Sequence, residues 1–428
     1  MKRLALLLAT VALVCGLWPA FGRAQQAIDI RSQEARNDFP SGIVFTLDFD
    51  SRAPVKEVRF RYAIAPDGSR AYGVPDCTGT TNVQCTFNLK NTSGNFLIPG
   101  VEITYYWEIT DQAGGATQTE PGRTMYEDTR FQWKSLSDDG LTVWYYAGSE
   151  GDVRDLLSVG RDTLTRMGSL LGTVVDHPVK VFLYDNAEDM QPVLLSGQSP
   201  QNGTVTLGEV VVSDTAVVAR DSAASDILRH ELSHIVMHSA VSGPFANLPA
   251  WLEEGVAVYG QSKPLPDMVS ALDAAIKSNR PFTIRSLSSA TVGASGSSVG
   301  LFYGQSYSVV RFLIDTYGED KFRELLAAFR DGSRTDDALM KAYGFDQDGL
   351  ENAWRQSVGL PERVITGGQG ETPQPPPQLT PYGAEGQGAS AAQDGGGVPI
   401  VALVALGVLT VVVAGGFAGA AVIVLRRR

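Results

Sequence analysis

Cysteine, histidine and positive charge are all scarce in this chain of 428 residues. It has three cysteines and four histidines, and its 35 basic residues are outnumbered by 47 acidic ones. The formal net charge is −12, and an acidic chain of this kind is not expected to bind nucleic acid. Charged residues make up 19% and apolar residues 43%, which is typical of a globular rather than a disordered chain.

Each end of the sequence carries a long apolar run. Residues 1–24 have a basic pair, an apolar stretch from Leu4 to Leu17 and then small residues, a pattern typical of a cleaved secretory signal peptide. Residues 398–425 are 28 residues without charge, enough for one transmembrane helix, and three arginines follow at 426–428. Because basic residues stay cytoplasmic, we predict a single-pass protein of the cell membrane with extracytoplasmic N-terminal domains and a cytoplasmic C-terminus.

A segment rich in proline, glycine and glutamine, residues 364–397, precedes the predicted transmembrane helix. This composition predicts a flexible linker. The helix itself is expected to contact membrane lipid. Gly415 and Gly419 form a GxxxG pattern in it, which leaves dimerisation open.

Two cysteines follow the predicted signal peptide, Cys77 and Cys85, whereas Cys15 lies inside it. Disulfides persist outside the cytoplasm. We therefore predict a bond between Cys77 and Cys85 that closes a hairpin or a loop.

The sequence pattern changes near residue 131. Residues 25–130 hold short alternating runs such as "GIVFTLDFD" and "EITYYWEITD" between turn residues, which predicts an all-β, immunoglobulin-like sandwich. Residues 131–363 begin with strands mixed with a helix and become almost entirely helical after Asp221. This order predicts an α+β domain.

The run "SDILRHELSHIVMHSA" holds three of the four histidines. His230 and His234 are one helical turn apart, so both imidazoles project from one face and can bind a single zinc ion. Glu231 lies beside them, placed to take a proton from a metal-bound water. His238 is two turns from His230, and we interpret it as a residue that supports the ligands or packs in the core.

A catalytic zinc site needs three protein ligands and one open position. The next predicted helix, "LPAWLEEGVAVYG", offers Glu254 as the third ligand. Its neighbour Glu253 is the alternative.

The combination of "HELSH" and "WLEEG" resembles the gluzincin metallopeptidases of the aminopeptidase-N and peptidase MA-like type. This resemblance implies a thermolysin-like catalytic fold with one zinc ion per chain. It also implies His230, His234 and Glu254 as ligands and Glu231 as general base, with Glu253 at a variable position. Here 19 residues separate His234 from Glu254, one more than is usual, which keeps Glu253 open.

The same resemblance extends to "YGQSYSVVRFLIDTYGEDKF". In register, Tyr303 falls on the family's catalytic tyrosine, whose phenol stabilises the oxyanion. Serine stands at 306 where the family has glycine, so Tyr307 remains an alternative.

The resemblance also implies that substrate lies along an edge strand, for which "GEVVVS" with Gly208 and Glu209 is the candidate. Aminopeptidases carry a glutamate there that binds the substrate's free amine, and this chain lacks it at the corresponding place. A zinc peptidase acting on a peptide or protein substrate, more an endopeptidase than a strict aminopeptidase, is therefore the first hypothesis. The second is a non-catalytic surface adhesin or receptor whose peptidase-like domain only binds.

Overall fold

The structure is a computed structural model that describes residues 27–65, 69–92, 97–194, 205–212, 214–243, 246–289, 298–363 and 409–413. The predicted signal peptide and the predicted linker lie outside these residues.

The N-terminal part consists of two antiparallel sheets packed face to face. One sheet has the order β1-β2-β6-β5, and the other has the order β4-β3-β7-β8, with β9 also paired to β7. The strands are β1 (Ile28–Asp38), β2 (Gly42–Ser51), β3 (Val55–Ile64), β4 (Ser69–Gly73), β5 (Asp76–Thr78), β6 (Asn82–Lys90), β7 (Glu102–Asp111), β8 (Ala116–Gln118) and β9 (Gly122–Met125). The predicted β-sandwich is thus confirmed as an architecture.

Alternation along the strands explains why the two sheets pack. In β2 every second side chain is buried, as expected for a strand with one face toward a core. Phe45 from one sheet contacts Phe60 from the other, with ring centroids 4.6 Å apart. Trp107 joins the same fully buried aromatic cluster, 4.8 Å from Phe60.

The two cysteines occupy directly opposed positions on β5 and β6 and form a disulfide. The predicted Cys77–Cys85 bond is therefore present, and it staples a hairpin. β5 has only three residues, so the bond holds a short strand at the end of its sheet.

The second part is built on a mixed sheet of the order β10-β11-β12-β14-β13-β15. β11, β12 and β14 are parallel, and the other neighbours are antiparallel. Its strands are β10 (Lys134–Asp138), β11 (Leu141–Tyr145), β12 (Val179–Tyr184), β13 (Val205–Val212), β14 (Thr215–Ala219) and β15 (Leu409–Val413).

Helices cover this sheet and make up almost all of the chain after Asp221 within the described residues up to 363, as the sequence predicts. They are α1 (Glu150–Leu171), α2 (Ala187–Met190), α3 (Ala224–Ala240), α4 (Ala250–Gly260), α5 (Pro266–Lys277), α6 (Ile284–Leu287), α7 (Val299–Tyr317), α8 (Glu319–Arg330), α9 (Thr335–Tyr343) and α10 (Gln347–Ser357). A short 3₁₀ turn, Gln191–Val193, follows α2. α3 joins the two layers, because it contributes to the core under the sheet and to the core among the helices.

Lys180 of β12 ties the sandwich to the mixed sheet. Its Nζ lies 2.9 Å from the carboxylate of Glu102 and 3.0 Å from the carbonyl of Gly100, both in the sandwich. On the other side it lies 3.2 Å from Asp214, just before β14. The side chain of Lys180 is only 12% exposed, so its charge lies largely buried where the two parts meet.

The predicted transmembrane helix needs a correction where the structure describes it. Five of its residues, Leu409–Val413, form β15, which pairs antiparallel with β13; the rest of 398–425 lies outside the described residues. The sequence of β15, LTVVV, is dominated by β-branched residues, which favour a strand where an edge is available. Within the described residues, no helix is long and apolar enough to cross a membrane.

The disulfide leads to the first prediction. Thiol titration of the unfolded, unreduced protein is expected to find neither Cys77 nor Cys85 reactive. Replacing both by serine is expected to lower the free energy of unfolding of the sandwich by about 2–3 kcal/mol, because the bond closes a short loop in the unfolded chain. Denaturant unfolding with and without reductant measures the difference. An unchanged midpoint after reduction would contradict it.

Candidate metal centre

The helix that carries "HELSH" is buried on nearly every side. Its apolar stripe is formed by Ile227, Leu228, Leu232, Ile235 and Val236, which are all at most 2% exposed. The helix begins after Ala223, whose backbone N–H donates to Asp221. Asp221 thus supports the turn before the helix.

His230 and His234 project together from α3, as their spacing predicts. Their ring centroids are 4.9 Å apart, and both side chains are buried. A helix places residues four apart on one face, so the two rings face the same neighbour. That neighbour is α4.

Glu254 completes the cluster from α4. Its Oε2 lies 3.3 Å from Nε2 of His230 and 3.9 Å from Nε2 of His234. One ligand atom from each of the three residues lies within 4.8 Å of the other two. Such a grouping of two imidazoles and a carboxylate is the ligand set of a catalytic zinc site.

Two glycines let α4 lie close to its neighbours. A Cβ at Gly260 would come within 1.9 Å of Oγ of Ser233 on α3. A Cβ at Gly255 would come within 2.4 Å of the carbonyl of Ser306 on α7. These close approaches bring the carboxylate of Glu254 to the histidines and bring α7 to the same site.

Most of the candidate ligand atoms of the cluster lack a hydrogen-bond partner within the described residues. Nε2 of His230, both ring nitrogens of His234 and Oε2 of Glu254 are buried and make no hydrogen bond within the described part of the chain. Buried polar groups are normally satisfied, because an unsatisfied one is costly. A cation bound between these atoms would satisfy them, so the residues fit a metal ion.

Burial sets the protonation of the cluster. It lowers the pKa of His230 to about 3 and lowers that of His234 well below its usual value, so both rings are neutral near pH 7, as metal binding requires. Burial, together with the charges of Glu253 and Glu231, raises the pKa of Glu254 well above its usual range. The charged carboxylate therefore needs a neighbouring cation.

Glu253, the alternative ligand, points elsewhere. Its Oε1 lies 2.8 Å from Nε2 of His238, and both side chains are about nine-tenths buried. Burial opposes ionisation of Glu253, but its hydrogen bond with His238 lowers its pKa below the usual value. The structure thus brings Glu254 to the histidines and pairs Glu253 with His238.

Glu231 lies inside the site and is fully buried. Its charge helps to raise the pKa of Glu254 and of Tyr303. It follows His230 directly on α3, so it borders the cluster without being one of the three grouped residues.

The two candidate tyrosines lie one turn apart on the same face of α7, and their rings meet different neighbours. The ring of Tyr303 is 6.1 Å from that of His230, and burial, then Glu254, then Glu231 raise its pKa well above the usual range. The ring of Tyr307 is 6.3 Å from that of Tyr259 on α4. Only Tyr303 of this pair is brought to the histidine cluster.

Gly208 and Glu209 lie on β13, near the edge of the mixed sheet. Their backbones pair with Val218 and Val217 of β14, and Glu209 also faces Thr410 of β15. The candidate substrate strand therefore has β15 on its outer side.

The site also contains a polar residue, Gln261, that no sequence motif predicts. Gln261, the residue after α4, places its side-chain Nε2 3.4 Å from Nδ1 of His230. A glutamine beyond the end of a helix carries no spacing signal of its own. The only hint is its position after "WLEEGVAVYG", where the helix stops beside the first ligand.

Comparison with known proteins adds one informative match. No curated protein matches the chain. A solved structure titled "Crystal structure of Br derivative BhCBM56" aligns at 13% identity over 23% of this chain and 98% of that one, with a TM-score of 0.17 that is too low to carry an argument. Residues 159–359 match the family model of the Peptidase MA superfamily. The segment that contains all three grouped residues is thus similar to that superfamily, which supports a peptidase of the MA clan.

Proposed function

We propose that this protein is a zinc-dependent metallopeptidase of the gluzincin type, which hydrolyses peptide bonds outside the cytoplasm. One observation carries the proposal: His230, His234 and Glu254 converge with buried ligand atoms that have no hydrogen-bond partner in the described structure. The superfamily match over residues 159–359 supports it independently.

The three residues would hold one zinc ion. When bound, zinc supplies a Lewis acid that polarises a carbonyl and lowers the pKa of a bound water to about 7. The neutral imidazoles and the buried carboxylate are the donor types that zinc prefers. The His238–Glu253 pair stands beside them and keeps the second glutamate away from the ligand position.

Glu231 is the proposed general base. Its buried carboxylate, next to the cluster, takes a proton from the attacking water and returns it to the amine that leaves. The phenol of Tyr303 stays protonated because its pKa is raised, so it can donate a hydrogen bond to the carbonyl oxygen as negative charge develops.

An endopeptidase fits better than a strict aminopeptidase. The residues at Gly208–Val212 are Gly, Glu, Val, Val and Val, so the glutamate that would bind a free amine is missing at its expected place. The Cys77–Cys85 disulfide supports an enzyme that works outside the cytoplasm.

Zinc content is the first test of this function. The purified protein is expected to hold about one zinc ion per chain. His230→Ala is expected to lose it, because one of three ligands is removed. His177→Ala is the matched control, since this histidine lies beside Asp176 before β12 and is not one of the grouped residues. Elemental analysis makes the measurement, and a folded wild-type protein that binds no zinc would refute the proposal.

The second test separates an enzyme from a binding protein. Glu231→Gln is expected to keep zinc and to lower the rate of peptide hydrolysis about 10²–10⁴-fold, because the general base is removed. Peptide libraries with free and with blocked N-termini measure it, and cleavage of the blocked peptides excludes a strict aminopeptidase. If the wild type binds zinc and is as inert as the variant, the protein is a receptor or adhesin instead.

The third test concerns the oxyanion. Tyr303→Phe is expected to lower kcat about 10²–10³-fold with little change in zinc content, because a hydrogen-bond donor to the developing charge is lost. Tyr307→Phe removes the same hydroxyl four residues along the helix and is expected to leave kcat close to the wild-type value. The reverse order of effects would transfer the role to Tyr307.

A further inference from the structure

The side chain of Gln261 contacts the ring of His230 inside the site. The side-chain amide of Gln261 lies 3.4 Å from Nδ1 of His230, and both residues are buried, Gln261 being 6% exposed. Nδ1 is the ring nitrogen on the far side from Glu254, because Nε2 is the atom that lies 3.3 Å from that carboxylate. Gln261 therefore contacts the first ligand from behind.

The backbone on both sides of Gln261 is fixed against other elements. Before it, Gly260 packs on Ser233, and the carbonyl of Gly260 accepts a hydrogen bond from Arg166. After it, Ser262 donates from its N–H and its hydroxyl to Asp226, at 2.8 and 2.9 Å.

Asp226 lies one turn before His230 on α3, so the chain after α4 is tied to the helix whose ligand Gln261 contacts. A side chain held in this way can set the orientation of a ring.

The chemistry of the ring decides which atom of the amide faces it. For a neutral imidazole to bind a metal through Nε2, its proton must be on Nδ1. Nδ1–H then needs an acceptor, and the amide oxygen of glutamine is one. The oxygen and nitrogen of a glutamine amide have nearly the same shape, so the hydrogen-bonding network sets the amide's orientation. In the metal-bound site, Oε1, which is buried without a partner in the described structure, is the atom that belongs beside Nδ1.

We propose that Gln261 is a positioning residue: its side-chain oxygen accepts a hydrogen bond from Nδ1–H of His230 and fixes the ring so that Nε2 faces the metal. This inference rests on the proposed zinc site. Outer partners of this kind fix the tautomer and orientation of a ligating histidine, and their loss typically costs 10–100-fold in metal affinity.

Zinc affinity of three variants of the purified full chain tests the role. Gln261→Leu removes the acceptor with little change in volume and is expected to raise the Kd for zinc about 10–100-fold. Gln261→Glu keeps an acceptor and is expected to hold zinc with about the wild-type Kd. Gln347→Leu is the matched control, because Gln347 is also buried and hydrogen-bonded but contacts Asp336 and Ser288. It is expected to leave the Kd unchanged.

The visible spectrum of the cobalt-substituted protein gives a second readout, independent of activity. Gln261→Leu is expected to change it through the altered geometry at His230, whereas Gln261→Glu and Gln347→Leu are expected to resemble the wild type. Thermal unfolding of the metal-free proteins shows whether each variant is folded before zinc is added.

The outcomes separate this inference from the proposed function. A wild type without zinc would overturn both. Zinc binding by the wild type would support the proposed zinc site whatever the variants show. If folded Gln261→Leu has the same Kd and cobalt spectrum as the wild type, the proposed role of Gln261 is overturned. Equal losses of affinity in folded Gln261→Leu and Gln261→Glu, or in all three variants, would overturn it as well, since neither result depends on the acceptor.

Discussion

Where α4 ends, its backbone lies so close to α3 that a single added carbon at Gly260 would overlap the hydroxyl of Ser233. This approach fixes the distance between the helix that carries the histidines and the helix that carries Glu254. The neighbouring contact of Gly255 with the backbone of α7 sets the distance to Tyr303 in the same way. The helices α3, α4 and α7 therefore pack closely around one cluster. At this separation the side chains of His230, His234 and Glu254 meet.

The electrostatics of the cluster follow from that packing. Three glutamates are buried here: Glu231 on α3, and Glu253 and Glu254 on α4. Glu253 is paired with His238, and its charge, together with that of Glu231, also helps to raise the pKa of Glu254. Burying a carboxylate costs free energy unless a cation compensates it. A divalent ion held between the histidines and Glu254 would compensate this charge.

Much of this site follows from the sequence because helix geometry is regular. The four-residue spacing of His230 and His234 predicts a shared face, and the buried stripe of α3 matches its apolar residues. The choice between Glu253 and Glu254 is different, since adjacent residues on a helix point about 100° apart and only the rotation of α4 decides which one faces α3. Periodicity within one helix gives no information about that rotation. The choice of Glu254 came from the resemblance to the gluzincin family.

Two other features depend on contacts that no local pattern encodes. Gln261 lies beyond the end of α4, and only the ties of Gly260 and Ser262 to α1 and α3 bring its amide to His230. Residues Leu409–Val413 are apolar enough for a membrane helix, yet their β-branched side chains suit the strand that they form beside β13. The sandwich was easier to predict, because apolar and polar residues alternate along strands such as β2 and the apolar ones are buried.

Lys180 makes the two parts of the molecule depend on each other. Its charge is balanced by Glu102 from the sandwich and by Asp214 from the mixed sheet; Lys180 and Asp214 are largely buried, whereas Glu102 is half exposed. Separating the parts would leave Lys180 with Asp214 alone and would uncover Phe182, which packs against Gly100. The sandwich is therefore more than a spacer in front of an independent enzyme: it completes the folding unit of the sheet on which α3 rests.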